Sequence, residues 1–136
     1  MSAFETVDFK IDEQVAIITL NRPKARNSVT AQMRADLYQA VRKANNESSV
    51  RVVMIAGAGK GFCAGQDLSE RVVSSSTVPA DLGESIEKNY GPMINRITSL
   101  PMPVVCGLNG VAAGAGVSMA LAADIVIAAE RAKFIL

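Results

Sequence analysis

The sequence predicts an α/β domain organised around a largely parallel sheet. Three observations carry this. Short apolar runs at Val15–Leu20, 51–56 and Val104–Leu108 have the length and the β-branched content of buried strands. Stretches with helical apolar spacing lie between them, and strand–helix alternation brings successive strands together in parallel. Two small-residue loops, 57–68 and 107–118, each follow one of these strands, so two loops on one face are positioned to serve one ligand.

Each element has its own signal. Val7, Phe9 and Ile11 alternate with Asp8, Lys10 and Asp12, the period of a strand with one buried face. Ala16, Ile17 and Ile18 make the run at 15–20 more fully apolar, and Asp12, Glu13 and Gln14 are few enough for a hairpin between the two. Pro23 and its polar neighbours over 21–28 break the pattern into a loop. Thr30 suits an N-cap, and Met33, Leu37, Ala40, Val41 and Ala44 follow at helical spacing up to Asn45 and Asn46. Val52, Val53, Met54 and Ile55 then form a buried strand. After the first glycine loop come one or two helical turns over 67–73 and a serine-rich stretch, 74–79, suited to a mobile lid. Leu82, Ile86, Tyr90, Met93, Ile97 and Leu100 mark a longer helix face, with a kink or break at Gly91 and Pro92. Pro101 and Pro103 end it. The strand at 104–108 leads into the second glycine loop and a helix of small residues that starts near Ala113 and runs to about Ala122. Strands at 124–128 and from Lys133 onward close the reading.

Composition excludes several functions. The 136 residues fall in the range of one domain, and with 49% apolar and 20% charged residues the chain reads as globular rather than disordered. A net charge of +1 without a basic block gives no electrostatic footprint for nucleic acid. No apolar run approaches membrane-spanning length, and the first residues lack the regions of a signal peptide, which makes the cytoplasm the expected compartment. The absence of histidine removes Ser-His and Cys-His catalysis and most zinc chemistry. Cys63 and Cys106 form neither a disulfide framework nor a metal motif, so no metal is expected. Residues 131–136 read as the start of a strand that stops on three apolar residues, which suggests a domain truncated before its C-terminal part.

The small-residue loops carry the chemistry. Between Gly110 and Ser118 only two valines are bulky, so a helix start can approach another group closely and offer backbone N–H donors to an anion or a polarised oxygen. The same residues also suit close helix–sheet packing with no ligand. Gly59, Gly61 and Ala64 fit a dinucleotide fingerprint, with Asp81 downstream, yet the segment runs into serines rather than a helix and a second strand. A P-loop fails because Gly61 follows Lys60. Cys63 reads as a small buried residue without a base to activate it. Asp67 reads as a helix cap ahead of a catalytic acid, and Asp124 as structural. Lys24 and Arg26 suit either phosphate contact or a solvated loop.

Taken in order, the stretches 21–28, 59–68 and 109–116 resemble the enoyl-CoA hydratase/isomerase (crotonase) superfamily in sequence and spacing. The resemblance covers the whole chain. It implies a crotonase-like spiral of ββα units, of which 1–136 would be the N-terminal part, and an acyl-CoA thioester substrate. It further implies an oxyanion hole from two backbone N–H groups, which motif position assigns to Ala64 and Ala115. The substrate and its CoA moiety would lie against Lys24, Ala25 and Arg26, against Gly65, Gln66, Asp67 and Leu68, and against Gly114 and Gly116, which flank the second donor. Family hydratases carry a glutamate where this chain has Ser118, and their second glutamate would fall past Leu136. Ser118 therefore speaks against a simple hydratase, and the acid/base of an isomerase would lie beyond Leu136. The stretches 63–68 and 110–116 look closest to members that isomerise ring-1,2-epoxyphenylacetyl-CoA in phenylacetate degradation. Enoyl-CoA hydratase and a non-catalytic CoA-thioester binding fragment are the alternatives. The family also implies a homotrimer or hexamer.

Overall fold

A computed structural model describes residues 4–69 and 90–136. In chain order its elements are β1 (Val7–Asp12), β2 (Val15–Leu20), α1 (Ala31–Asn46), β3 (Val52–Gly57), α2 (Gly91–Thr98), β4 (Val104–Leu108), β5 (Val111–Ala113), α3 (Ala115–Leu121), β6 (Ile125–Ala128) and β7 (Lys133–Ile135). The helical turns expected to 73, the lid at 74–79 and the helix face at Leu82 and Ile86 lie outside the described residues.

β1 and β2 form an antiparallel hairpin in which Asp12 pairs with Val15. Glu13 and Gln14, which turn the chain, both have positive φ (47° and 72°), the twist that a two-residue hairpin turn requires. β3, β4 and β6 add in parallel, giving the order β1-β2-β3-β4-β6. The parallel α/β class is as expected. α1 starts where Thr30 Oγ1 accepts the Met33 N–H at 3.1 Å, and it packs on β1, β2 and α2.

Burial differs from expectation in its pattern. Ala16, Ile18 and Leu20 of β2 and Val53 and Ile55 of β3 are fully buried and share one core with Met33, Leu37, Ala40, Val41 and Ala44 of α1. Their alternate neighbours Val15, Ile17, Val52 and Met54 are only half-buried, so these strands alternate instead of reading as continuous buried runs. Ile11 is exposed, because β1 is an edge strand whose cover thins toward the hairpin.

The second glycine loop is also organised differently. Residues 111–113 are a strand paired in parallel with β7, and the helix begins at Ala115 and ends at Leu121. Gly114 turns between them at φ 53° and ψ −122°. Small-residue composition suggests a helix from about Ala113, but the backbone partner that makes 111–113 a strand is Lys133–Ile135, far downstream in the chain. Asp124 is structural as expected: it accepts the Val104 N–H at 2.8 Å and returns its own N–H to the Val104 carbonyl at 2.8 Å.

Candidate functional site

β3 and β4 run side by side, and both glycine loops leave from their carboxyl ends, where ligand sites of parallel sheets gather. Two amide side chains pin the first loop. Asn27 is fully buried and donates from Nδ2 to the carbonyls of Ala58 (2.9 Å), Gly61 (3.2 Å) and Phe62 (3.1 Å). Its Oδ1 accepts the Arg22 N–H at 2.8 Å. Asn109 Nδ2 donates to the Gly59 and Gly61 carbonyls at 3.0 Å each. The turn after β4 presses so closely on this loop that a Cβ at Gly110 would sit 2.0 Å from the Lys60 oxygen.

Residues 62–67 then run between two other segments, bridging to Ala112 through Cys63 and to Val29 through Gln66. Phe62 and Cys63 donate their N–H groups to the Val111 carbonyl (3.0 and 3.2 Å), and Ala64 donates to the Arg26 carbonyl (3.0 Å). Asp67 donates to the Val29 carbonyl (2.9 Å), and Val29 returns its N–H to the Gly65 carbonyl (2.7 Å). In such a parallel bridge Val29 makes both bonds, and the residue between them, Gln66, turns its own N–H the other way. Among the described residues no acceptor meets the Gln66 N–H.

The facing loop has the same character. Ala113 donates to the Cys63 carbonyl (3.0 Å) and Gly114 to the Ile135 carbonyl (3.4 Å), while the N–H groups of Ala115 and Gly116 meet no acceptor among the described residues. The loops touch at Gly65 and Gly116. A Cβ at Gly65 would stand 2.9 Å from the Ala113 oxygen and 3.7 Å from the Ala115 nitrogen, and one at Gly116 would stand 2.4 Å from the Cys63 oxygen. The open N–H groups of Gln66 and Ala115 therefore border one small space beside Gly65. The expected donor Ala64 differs: its N–H is already engaged by Arg26, and the open donor on this loop lies two residues on.

Two cavities adjoin the segment. One of about 430 Å³ is lined by Tyr90, Gly91, Ile94, Asn95, Ala115 and Ser118. The other, of about 440 Å³, is lined by Arg26, Lys60, Gly61, Ala64, Val111, Ala113 and Ile135. Of the residues expected to hold CoA, Arg26 thus shares a cavity with Ala64. Lys24 and Ala25 sit on a 3-10 turn, Lys24 exposed, and line neither cavity; Leu68 is exposed.

The titratable groups fall into place by environment. Burial pushes the Cys63 thiol up to about 11, with the Gly65 backbone N–H pulling the other way, so it stays protonated at neutral pH. Asp67 Oδ1 accepts from the Ser69 Oγ (2.6 Å) and N–H (2.9 Å), the geometry of a cap. Its Oδ2 accepts from Arg22 Nη2 (3.2 Å) and Ser28 Oγ (3.3 Å). The bonds from Ser69 first, then Arg22, hold this carboxyl down at about 2, which makes it a poor proton donor at neutral pH. Arg22, Asn27, Ser28 and Asn109 build the site, a role that pattern reading does not assign to them although the stretches 21–28 and 109–116 carry the resemblance.

The sequence profile of the enoyl-CoA hydratase/isomerase family matches residues 10–136. The chain is 45% identical over 126 residues to the 1,2-epoxyphenylacetyl-CoA isomerase of Escherichia coli K12, with 93% of this chain and 48% of that protein covered. It is 40% identical over 132 residues to a Rhodobacter capsulatus protein named probable enoyl-CoA hydratase, with 97% and 49% covered. Its fold matches the crystal structure of an enoyl-CoA hydratase/isomerase from Xanthobacter autotrophicus Py2 at a TM-score of 0.88 and 27% identity, covering 97% of this chain and 49% of that one. The chain spans about half the length of the curated relatives it matches. With the profile match running from the first strand to the last, the chain belongs to the enoyl-CoA hydratase/isomerase family and has its crotonase fold.

Proposed function

We propose that the full-length protein isomerises an acyl-CoA thioester whose carbonyl oxygen sits between the backbone N–H groups of Gln66 and Ala115. One observation carries this reading: where the two loops touch at Gly65, these two N–H groups border one space and meet no acceptor among the described residues. Enolising a thioester, or opening a ring beside it, builds negative charge on the carbonyl oxygen. Fixed donors stabilise that charge without reorganising, and removal of one typically costs about 3 kcal/mol of transition-state stabilisation.

Arg26 and Lys60, on the cavity beside Ala64, suit the phosphates of CoA. The cavity beside Ala115 suits the acyl group, and the Tyr90 ring with Ile94 favours a cyclic one. Similarity to the Escherichia coli isomerase makes ring-1,2-epoxyphenylacetyl-CoA the substrate to try first. CoA enters as part of the substrate, and the reading needs no other cofactor and no metal. The acid/base would lie beyond Leu136, and the working form would be a cytoplasmic trimer or hexamer.

A hydratase is the second reading, favoured by the name of the Rhodobacter relative. Adding water takes a base and an acid, whereas the polar side chains described on the acyl cavity are Tyr90, Asn95 and Ser118. Incubating the full-length protein with ring-1,2-epoxyphenylacetyl-CoA and with a trans-2-enoyl-CoA decides between the two. The isomerase reading expects a product of unchanged mass from the epoxide. A product heavier by one water from the enoyl thioester, with the epoxide untouched, would establish the hydratase instead.

A further inference from the structure

We propose that Arg22 is a positioning residue for the oxyanion site: its guanidinium, held across Ser28 and Asp67, fixes the direction of the Gln66 N–H. The inference rests on the donor reading above.

Arg22 Nη1 donates to the carbonyl oxygen and, at 3.2 Å, to the hydroxyl of Ser28, while Nη2 reaches Asp67 Oδ2 at 3.2 Å. Ser28 Oγ donates to the same carboxylate oxygen at 3.3 Å. Ser28 precedes Val29 and Asp67 follows Gln66, so the fork clamps the two residues that flank the Val29–Gln66 bridge. That bridge is what turns the Gln66 N–H away from Val29 and toward the Ala115 side. If Asp67 swings out, its N–H bond to Val29 loosens, and the Gly65–Gln66 peptide is held on the bridge by the Val29 N–H bond to the Gly65 carbonyl alone.

The clamp is itself anchored. The Arg22 N–H donates to buried Asn27 Oδ1, and the Arg22 carbonyl accepts the N–H groups of Ala25 and Asn27 at 2.9 Å each. Arg22 lines neither described cavity, so it acts through the loop rather than on the substrate. A lysine would not replace it, because two acceptors on two segments need the planar fork and not a point charge.

The test follows the thioester carbonyl itself. Cinnamoyl-CoA with a 13C-labelled thioester carbon is bound to the full-length protein, and its C=O stretch is read by difference infrared spectroscopy alongside kcat, probe affinity and thermal unfolding. Wild type should shift the stretch to lower frequency. R22M and R22K should both lose most of that shift, with turnover down about 10–100-fold, as for a reacting group misplaced from a distance. Probe affinity should change little. D67N should reproduce the loss, and R22M/D67N should be no worse than either single variant, since both act through one clamp. Should R22M fail to fold, R22K and D67N carry the same comparison. A full carbonyl shift in R22K or R22M, with only the melting temperature lowered, would overturn the inference and leave Arg22 a simple brace. A wild-type protein that binds the probe with no shift at all would overturn the donor reading itself, and the inference with it.

Discussion

A carbon added at Gly65 would meet the Ala113 oxygen at 2.9 Å, on a backbone whose φ of +99° already excludes side chains. Gly114 differs, since its φ of +53° disfavours a side chain but the space ahead of it is open, with Gly65 Cα 3.9 Å away. Gly116 is the reverse case, with ordinary φ but a Cβ only 2.4 Å from the Cys63 oxygen. These contrasts order three variants. Gly114→Ala should cost roughly 1–3 kcal/mol of stability from backbone strain, with the smallest loss of turnover. Gly65→Ala and Gly116→Ala should push the loops apart and lower kcat about 100-fold or more. Denaturant unfolding and steady-state kinetics check the order, and a more active Gly116→Ala than Gly114→Ala would refute it. Asp67 adds a pH signature. Its folded value of about 2 lies below the ordinary 3.8, so its stabilisation is complete above the ordinary value and fades as pH falls through the folded one. The stability gap between wild type and Asp67→Asn should therefore narrow on acidification and stay constant near neutrality. At this scale the sequence marks the glycine loops and Ala115, but not which N–H on the first loop stays open. That depends on Arg26 and Val29, each more than thirty residues away, taking the bonds of Ala64 and Asp67.

α1 shows how an element is held by its ends and by one buried carboxylate. Thr30 satisfies the Met33 N–H at the first turn. Six residues on, Asp36 is buried and accepts the Thr6 hydroxyl (2.6 Å) and N–H (3.0 Å) on one oxygen and the Gln32 amide (2.8 Å) on the other. Burial alone would raise the Asp36 value, but the bonds from Thr6 and Gln32 outweigh it and leave the group below the ordinary range. Removing it strands two Thr6 donors in the core where β1 begins. Asp36→Ala should therefore cost about 2–4 kcal/mol, and Thr30→Ala about 1 kcal/mol. Urea titration separates them, and equal losses would contradict the buried-donor argument. The hairpin, α1, β3 and β4 were legible because local period and caps agree with the tertiary result. β5 was not, because three residues carry no period and take their strand conformation from β7. The helical face of Asp36 was equally silent, since its partner Thr6 comes from before the first strand.

For the whole molecule, the question is what the sheet leaves uncovered. β6 is the edge of the five-stranded sheet, and of its residues Val126 packs on the core while Ile125 and Ile127 face outward, Ile127 with 65% of its surface exposed. Leu121 at the end of α3 is 63% exposed, and Phe134 and Ile135 of β7 are exposed as well. An apolar edge strand presents both unpaired backbone groups and a greasy face, the combination that templates pairing between chains. The 136 residues expressed alone should therefore self-associate as concentration rises, seen as growing mass in size-exclusion light scattering. Lysine at both Ile125 and Ile127 should reverse this while leaving the circular dichroism of the fold unchanged, because neither side chain belongs to the buried core and charge on an edge blocks strand addition. A wild-type chain that stays monomeric at every concentration would show that the exposed face is not sticky. A double variant that self-associates as strongly as wild type would place the contact on another surface.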